Sequence, residues 1–365
     1  MSVLARVRRR TGVRIAANEV TGALGDSVTV LPVVVAVAAL TELSLAHLLL
    51  GFAVFQVAWG VYYGLPISVE PMKALAALVI AGGLTAAEVG VAGLAAGGVL
   101  LLVGATGTLS RVDAYLGRPV IRGVQVAVGL VLLETGIGLS LDGPVYAAVA
   151  LAVVGVSAAV GRRRVSALLV LGLGSVVAVA TTGVPEPRLP PVGVGLPSVA
   201  AVSGATAGAT AAQLAMTVGN AAVATSLLLS DYYDAEVSPD DLATSMGAMN
   251  LLAVPFGALP MCHGSGGVAG KHAFGARTAG SNLILGLLFG VAAVVGVGVV
   301  AAFPLSMLGV ILGVIAIELC RAGLDADDRL LVAGIGALGL LTNVGVAFVV
   351  GIGLHQLRER INIAL

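Results

Sequence analysis

Apolar runs of about 20 residues follow one another along this chain, with only short polar breaks between them. A run of that length makes a helix that spans the ~30 Å hydrocarbon core of a bilayer. Full-length helices are expected near 17–39, 45–64, 86–105, 119–138, 144–160 and 165–182. A second set is expected near 204–230, 241–257, 279–302, 304–322, 328–341 and 343–357. Two further segments, 71–82 and 263–275, are too short and too rich in Gly and Pro to span alone. The total is fourteen segments, an all-α polytopic membrane protein. Composition agrees: 58% of the 365 residues are hydrophobic, 10% are charged and mean hydropathy is +1.07. No soluble interior hides that much apolar surface, which excludes a cytosolic enzyme, a nucleic-acid binder and a disordered chain. Cys262 and Cys320 lie too far apart for a CxxC metal site or a disulfide framework, and no metal or other cofactor is expected.

Charge placement orients the helices. Lys+Arg and Asp+Glu both number 19, so net charge is uninformative. With the N-terminus inside and fourteen crossings, Arg111, Arg118, Arg122, Arg162 to Arg164, Arg277, Arg321, Arg329, Arg358 and Arg360 all fall on the inner side. Only Arg188 falls in an outer loop. The basic start (Arg6, Arg8, Arg9, Arg10, Arg14) reads as a cytoplasmic anchor. The apolar run after it is too long for a signal peptide and contains Glu19 and Asp26. A multi-pass protein of the cell membrane with both termini in the cytoplasm is expected.

The segment 183–198 carries four prolines between Pro185 and Pro191 and cannot be helical. It divides the chain into a first seven-segment repeat (1–182) and a second (199–365). Glu19-Val-Thr-Gly-Ala-Leu-Gly25-Asp26 lies 194 residues before Gln213-Leu-Ala-Met-Thr-Val-Gly219-Asn220, and the same offset pairs Gly64-Leu65-Pro66 with Ala258-Leu259-Pro260. Seven is odd, so the second copy is inverted in the membrane, as in secondary transporters. Pro66 and Pro71 interrupt the first short segment, and Pro260 with Gly264, Gly266 and Gly267 the second. Each half-helix then starts near mid-membrane with unpaired N–H groups and about half a positive charge, a setting for an anion. Lys73 adds a full charge, while Glu70 and Asp26 oppose it.

These residues resemble the molybdate transporter family, relatives of the SulP sulfate permeases. Val69-Glu70-Pro71-Met72-Lys73 is similar to its Pro-Met-Lys motif, and Pro260-Met-Cys262-His263-Gly264-Ser265-Gly266-Gly267 with Phe274-Gly-Ala-Arg277 to its second signature. Gln213-Leu-Ala-Met-Thr217-Val-Gly-Asn220 and Gly22-Ala-Leu-Gly25-Asp26 resemble two further stretches. The resemblance implies a seven-plus-seven inverted-repeat, SulP/nucleobase-transporter-like fold without a STAS domain. It also implies uptake of molybdate, with sulfate or tungstate as competitors. Folds of this kind often dimerise, which makes a homodimer in the lipid an open expectation. One position departs from the pattern: the family carries glutamine where this chain has Glu70.

The expected substrate-binding residues are therefore Glu70, Pro71, Met72, Lys73, Gln213, Thr217, Asn220, His263, Gly264, Ser265 and Gly266. Glu70, Asp26 and Glu19 are the candidate proton carriers. Several assignments stay open at this level. Lys73 is a substrate ligand, an ion-pair partner of Glu70, or both. His263 donates to substrate or caps its half-helix. Gln213 and Asn220, two helical turns apart, contact substrate or join helices. Trp59, Tyr62 and Tyr63 read as interfacial anchors. A transporter for another anion on the same scaffold, or an anion channel, is the alternative. An enzyme is not expected: Gly264 to Lys271 fails the phosphate-loop pattern at Ser265 and His272, no HExxH occurs, and Ser265 lies two residues from His263, off its helical face.

Overall fold

A computed structural model of the chain describes residues 13–191 and 193–364. Arg6, Arg8, Arg9 and Arg10 of the expected anchor lie outside the described residues. The first half contains α1 (Ala17–Leu40), α2 (Leu45–Tyr63), the two-residue strand β1 (Glu70–Pro71), the short α3 (Lys73–Ile80), α4 (Ala86–Thr106), α5 (Leu109–Leu116), α6 (Arg118–Leu141), α7 (Pro144–Ala159) and α8 (Ser166–Thr182). No described residue of 183–198 is helical. The second half contains α9 (Gly204–Tyr233), α10 (Pro239–Ala253), β2 (Met261–Cys262), α11 (Ser265–Ala273), α12 (Gly280–Val295), α13 (Val297–Ala301), α14 (Leu305–Leu324), α15 (Arg329–Leu341) and α16 (Val344–Ala364). Six of the helices among the described residues are long and apolar enough to cross a membrane unaided. All fourteen expected segments are present. The sequence reading missed α5, whose eight residues, with Arg111 and Asp113 among them, are too few and too polar to register as a span.

Helix packing repeats when the two halves exchange roles. Helix α1 packs on the half-helix α11, and its counterpart α9 packs on α3. Helix α2 packs on α12, and α10 packs on α4. The pair α6 and α14 meets across the pseudo-symmetry relation itself. This is the inverted-repeat arrangement expected from the 194-residue offset.

Both breaks begin at a left-handed glycine. Gly64, at φ 67°, closes α2, and Gly257, at φ 78°, closes the turn after α10. A side chain is strained at such φ values, and glycine is not. Pro66 and Pro260 then hold the chain extended. The two extended stretches meet as an antiparallel pair, with Glu70 opposite Cys262 and Pro71 opposite Met261. Met72 N–H donates to Pro260 O at 2.8 Å and extends the contact by one step. Neither segment is an unbroken rod, and the two half-helices start from a common crossing point.

Helix α1 approaches α11 so closely that no side chain fits between them. A Cβ on Gly270 would stand 2.8 Å from Gly25 O, and one on Gly25 would stand 2.7 Å from Gly270 O. Gly270→Val is therefore expected to cost about 1–3 kcal/mol through overpacking. Gly98→Val, at a position with nothing within 4 Å, is expected to change stability little. Thermal unfolding of both purified variants in detergent checks the difference.

Candidate functional site

Water cannot reach a broken helix inside a bilayer, so its freed backbone groups must find partners in the protein. Side chains supply them here. Gln56 Nε2 donates to Val69 O at 3.2 Å. Asn282 Nδ2 donates to Ile67 O at 2.7 Å. Asn250 clamps Met261 from both sides, accepting from its N–H and donating to its C=O, each at 2.7 Å. Thr225 Oγ1 donates to His263 O at 3.1 Å. Gln213 Oε1 accepts from Ala74 N–H at 2.9 Å and Leu75 N–H at 3.3 Å, which caps the first turn of α3.

Glu70 lies between the two half-helices. Its Oε2 is 2.7 Å from Lys73 Nζ, and its Oε1 accepts from Gly267 N–H in the first turn of α11 at 2.5 Å. The carboxylate thus joins the first turn of α11 to Lys73, the first residue of α3. A Cβ at Gly264 would fall 1.9 Å from Glu70 Cδ, so glycine there makes room for it. This point is not sealed. Lys73 keeps 28% of its side chain exposed, Ser265 is half-buried and Gly266 is exposed, whereas Glu70 is buried. Pro71 and Met72 are buried beside them.

Behind this opening lies a second, fully buried ion pair. Asp26 Oδ2 is 3.0 Å from Lys271 Nζ, and neither side chain is exposed. Ser68 Oγ donates to Asp26 Oδ1 at 2.6 Å, and Gln56 Nε2 donates to Oδ2 at 2.9 Å. The sequence reading had not singled out Lys271. A lysine six residues into a half-helix gives no sign of its partner, because Asp26 lies 245 positions away in sequence. Glu19, a candidate proton carrier, has another role: it accepts from Arg277 N–H and Thr278 N–H at 3.0 Å and from Ser281 N–H at 3.2 Å, and so caps the start of α12.

Several expected ligands are engaged elsewhere. His263 Nδ1 is 3.0 Å from Ser68 O, and its Nε2 is 2.8 Å from Ser245 Oγ. Both ring nitrogens thus bond to protein, and the histidine ties the two broken segments together. Tyr63, expected at the membrane interface, is buried and donates to Ser245 Oγ at 2.8 Å. Trp59 stands edge-on to His263 with ring centroids 6.1 Å apart. Trp59 and Tyr63 thus wall the break, whereas Tyr62 is 50% exposed. Gln213 spends both ends of its amide on protein: its oxygen caps α3 and its Nε2 donates to Thr217 Oγ1 at 2.9 Å. Asn220 does not repeat that role, because residues 217–223 form a π-helical turn that shifts it relative to Gln213. Its Nδ2 is buried without a hydrogen-bond partner.

Residues 18–132 and 204–319 match a family model described as "Molybdate transporter of MFS superfamily", and each matched stretch contains one half-helix. Molybdate transporter 2 of Arabidopsis thaliana is 30% identical over 373 residues, covering 86% of this chain and 80% of that protein. Molybdate transporter 1 of Chlamydomonas reinhardtii is 27% identical over 484 residues, covering 94% and 92%. Among solved structures, the transmembrane domain of the cyanobacterium bicarbonate transporter BicA aligns with a TM-score of 0.65 at 17% identity, covering 92% of this chain and 96% of that one. The murine anion transporter Slc26a9, inward-facing, aligns with a TM-score of 0.69 at 11% identity, covering 99% and 71%. The fold is thus the SulP inverted repeat.

The cap on α3 can be tested directly. Gln213→Ala leaves the N–H groups of Ala74 and Leu75 buried without an acceptor, an expected loss of about 1–3 kcal/mol. Thr217→Val removes only the partner of Nε2 and is expected to cost less. Denaturation midpoints of the two purified variants give the comparison.

Proposed function

The chain belongs to the molybdate transporter family, whose members are transporters and not enzymes, and from that premise we propose that it takes up molybdate across the cell membrane as a secondary active transporter. The tetrahedral dianion binds between the starts of α3 and α11. The observation that carries this reading is Glu70: a carboxylate already bridges Lys73 Nζ and Gly267 N–H, so the point between the half-helices accepts negative charge. Two helix starts contribute about half a unit each and Lys73 one more, which roughly matches a dianion once Glu70 is neutral or displaced. Lys73, the hydroxyl and backbone of Ser265, the backbone of Gly264 and Gly266, and the unpartnered Nδ2 of Asn220 supply donors to its oxygens. Pro71 and Met72 shape the wall. Gln213, Thr217 and His263 act one layer out, as the groups that hold the half-helices in place.

Glu70 also supplies the coupling. Ionised, it competes with the substrate for Lys73 and Gly267 N–H. Protonated, it releases Lys73 and can donate to the oxyanion, so a proton travels with the cargo. Lower pH on the uptake side therefore favours transport. Asp26, paired with Lys271 and hydrogen-bonded to Ser68, is the second carrier position. Both termini face the cytoplasm, in keeping with the arginines on the inner loops.

Two measurements test the reading. Calorimetric binding of molybdate, tungstate and sulfate to purified protein is expected to weaken about 10- to 100-fold in Lys73→Ala, the loss of one charge-assisted bond. Equal affinity in the variant removes Lys73 from the site. In proteoliposomes, uptake is expected to saturate, as a channel's flux does not, and to rise as external pH falls. Glu70→Gln is expected to flatten that pH profile. An unchanged profile in both Glu70→Gln and Asp26→Asn ends the proton-coupling proposal.

A further inference from the structure

The surroundings of Lys271 are those of a bound cation. Its Nζ lies 3.0 Å from Asp26 Oδ2, 3.0 Å from Gln56 Oε1, 2.5 Å from Ile67 O and 3.0 Å from Asn282 Oδ1. Those four oxygens come from α1, α2, the extended stretch before β1 and α12. Each is held in place without help from the lysine. Gln56 Nε2 is fixed on Asp26 Oδ2 and Val69 O, which turns its oxygen inward. Asn282 Nδ2 donates to Gln56 O at 3.0 Å and to Ile67 O at 2.7 Å, which does the same for its own oxygen. Ser68 Oγ holds the other oxygen of Asp26. An ammonium has only three N–H donors, yet four oxygens converge on this one. An all-oxygen shell of that kind suits a hard cation. It contains a single carboxylate, so one positive charge balances it. A divalent ion would leave an uncompensated charge in a fully buried site.

We infer that the protein contains a monovalent cation site whose cation is the ammonium of its own Lys271. The lysine extends from α11 into a cage built by α1, α2, α12 and the first break, and so locks the second half-helix to the first repeat. The wild-type protein therefore needs no dissolved alkali cation to hold this part of the fold. Removing the ammonium opens the cage to sodium, potassium or ammonium ions. The inference concerns the cage alone and holds whatever anion the outer pocket carries.

The test is thermal stability of purified protein in sodium, potassium or ammonium chloride against choline chloride at equal ionic strength. Wild type is expected to unfold at the same temperature in all four. Lys271→Ala is expected to be destabilised in choline and to regain about 2 °C, saturably, when a small cation is present at tenfold its dissociation constant. The double variant Asp26→Asn/Lys271→Ala, which lacks the balancing carboxylate, is expected to lose that response. If Lys271→Ala is recovered only when prepared in a small-cation salt, the inference is supported in the same sense. A Lys271→Ala protein equally stable in sodium, potassium, ammonium and choline overturns it. So does failure to recover that variant in any of the salts, and so does a wild type that itself depends on a small cation.

Discussion

A backbone freed from a helix in the middle of a bilayer has no water to bond, and each unmatched group costs several kcal/mol. Everything at the centre of this protein follows from meeting that requirement twice, where the two broken segments cross. The antiparallel contact of Glu70–Pro71 with Met261–Cys262 satisfies part of it. Buried amides, a histidine and a lysine on neighbouring helices satisfy much of the rest: Gln56, Gln213, Asn250, Asn282, His263 and Lys271 each bond to backbone in or beside the breaks. The polar residues inside this otherwise apolar chain are thus mostly scaffolding for two half-helix starts.

Once those starts are held, their electrostatics follow. Each contributes partial positive charge, and its first N–H groups are met by side chains: Gln213 on α3 and Glu70 on α11. Two lysines stand near these starts and two carboxylates answer them, Lys73 with Glu70 and Lys271 with Asp26. The pairs differ in exposure. Lys271 and Asp26 are sealed, whereas Lys73 keeps 28% of its side chain open. Breaking a buried pair by removing one partner costs roughly 3–5 kcal/mol, so the inner pair gives up its bond less readily than the outer one. The outer pair has an open side and is the one that can exchange partners.

Much of this was legible in the sequence. Run length and proline placement located the spans and both breaks, and the 194-residue offset with an odd segment count implied inversion. Partnership was not legible. Gln213 caps a helix start 139 positions away, and Lys271 pairs with a carboxylate from the opposite repeat. Local pattern carries no information about such contacts. Glu19 and Gln213 align at the 194-residue offset, yet Glu19 caps α12 and Gln213 caps α3. The π-helical turn at 217–223 likewise had no local signal, and it alters the face on which Asn220 lies. The sequence leaves His263 open between donating to substrate and capping its half-helix, and in the fold Ser68 and Ser245 take both of its nitrogens.

The central claim is that an intramolecular carboxylate and the transported oxyanion share one position between two helix starts. Soaking or co-purifying the protein with tungstate and locating the heavy atom by its anomalous scattering tests this most directly. The account places the peak beside Lys73 Nζ and the first turn of α11, with the Glu70 carboxylate moved off Lys73 Nζ or Gly267 N–H. A peak elsewhere, or one at that point with both Glu70 contacts intact, would contradict it.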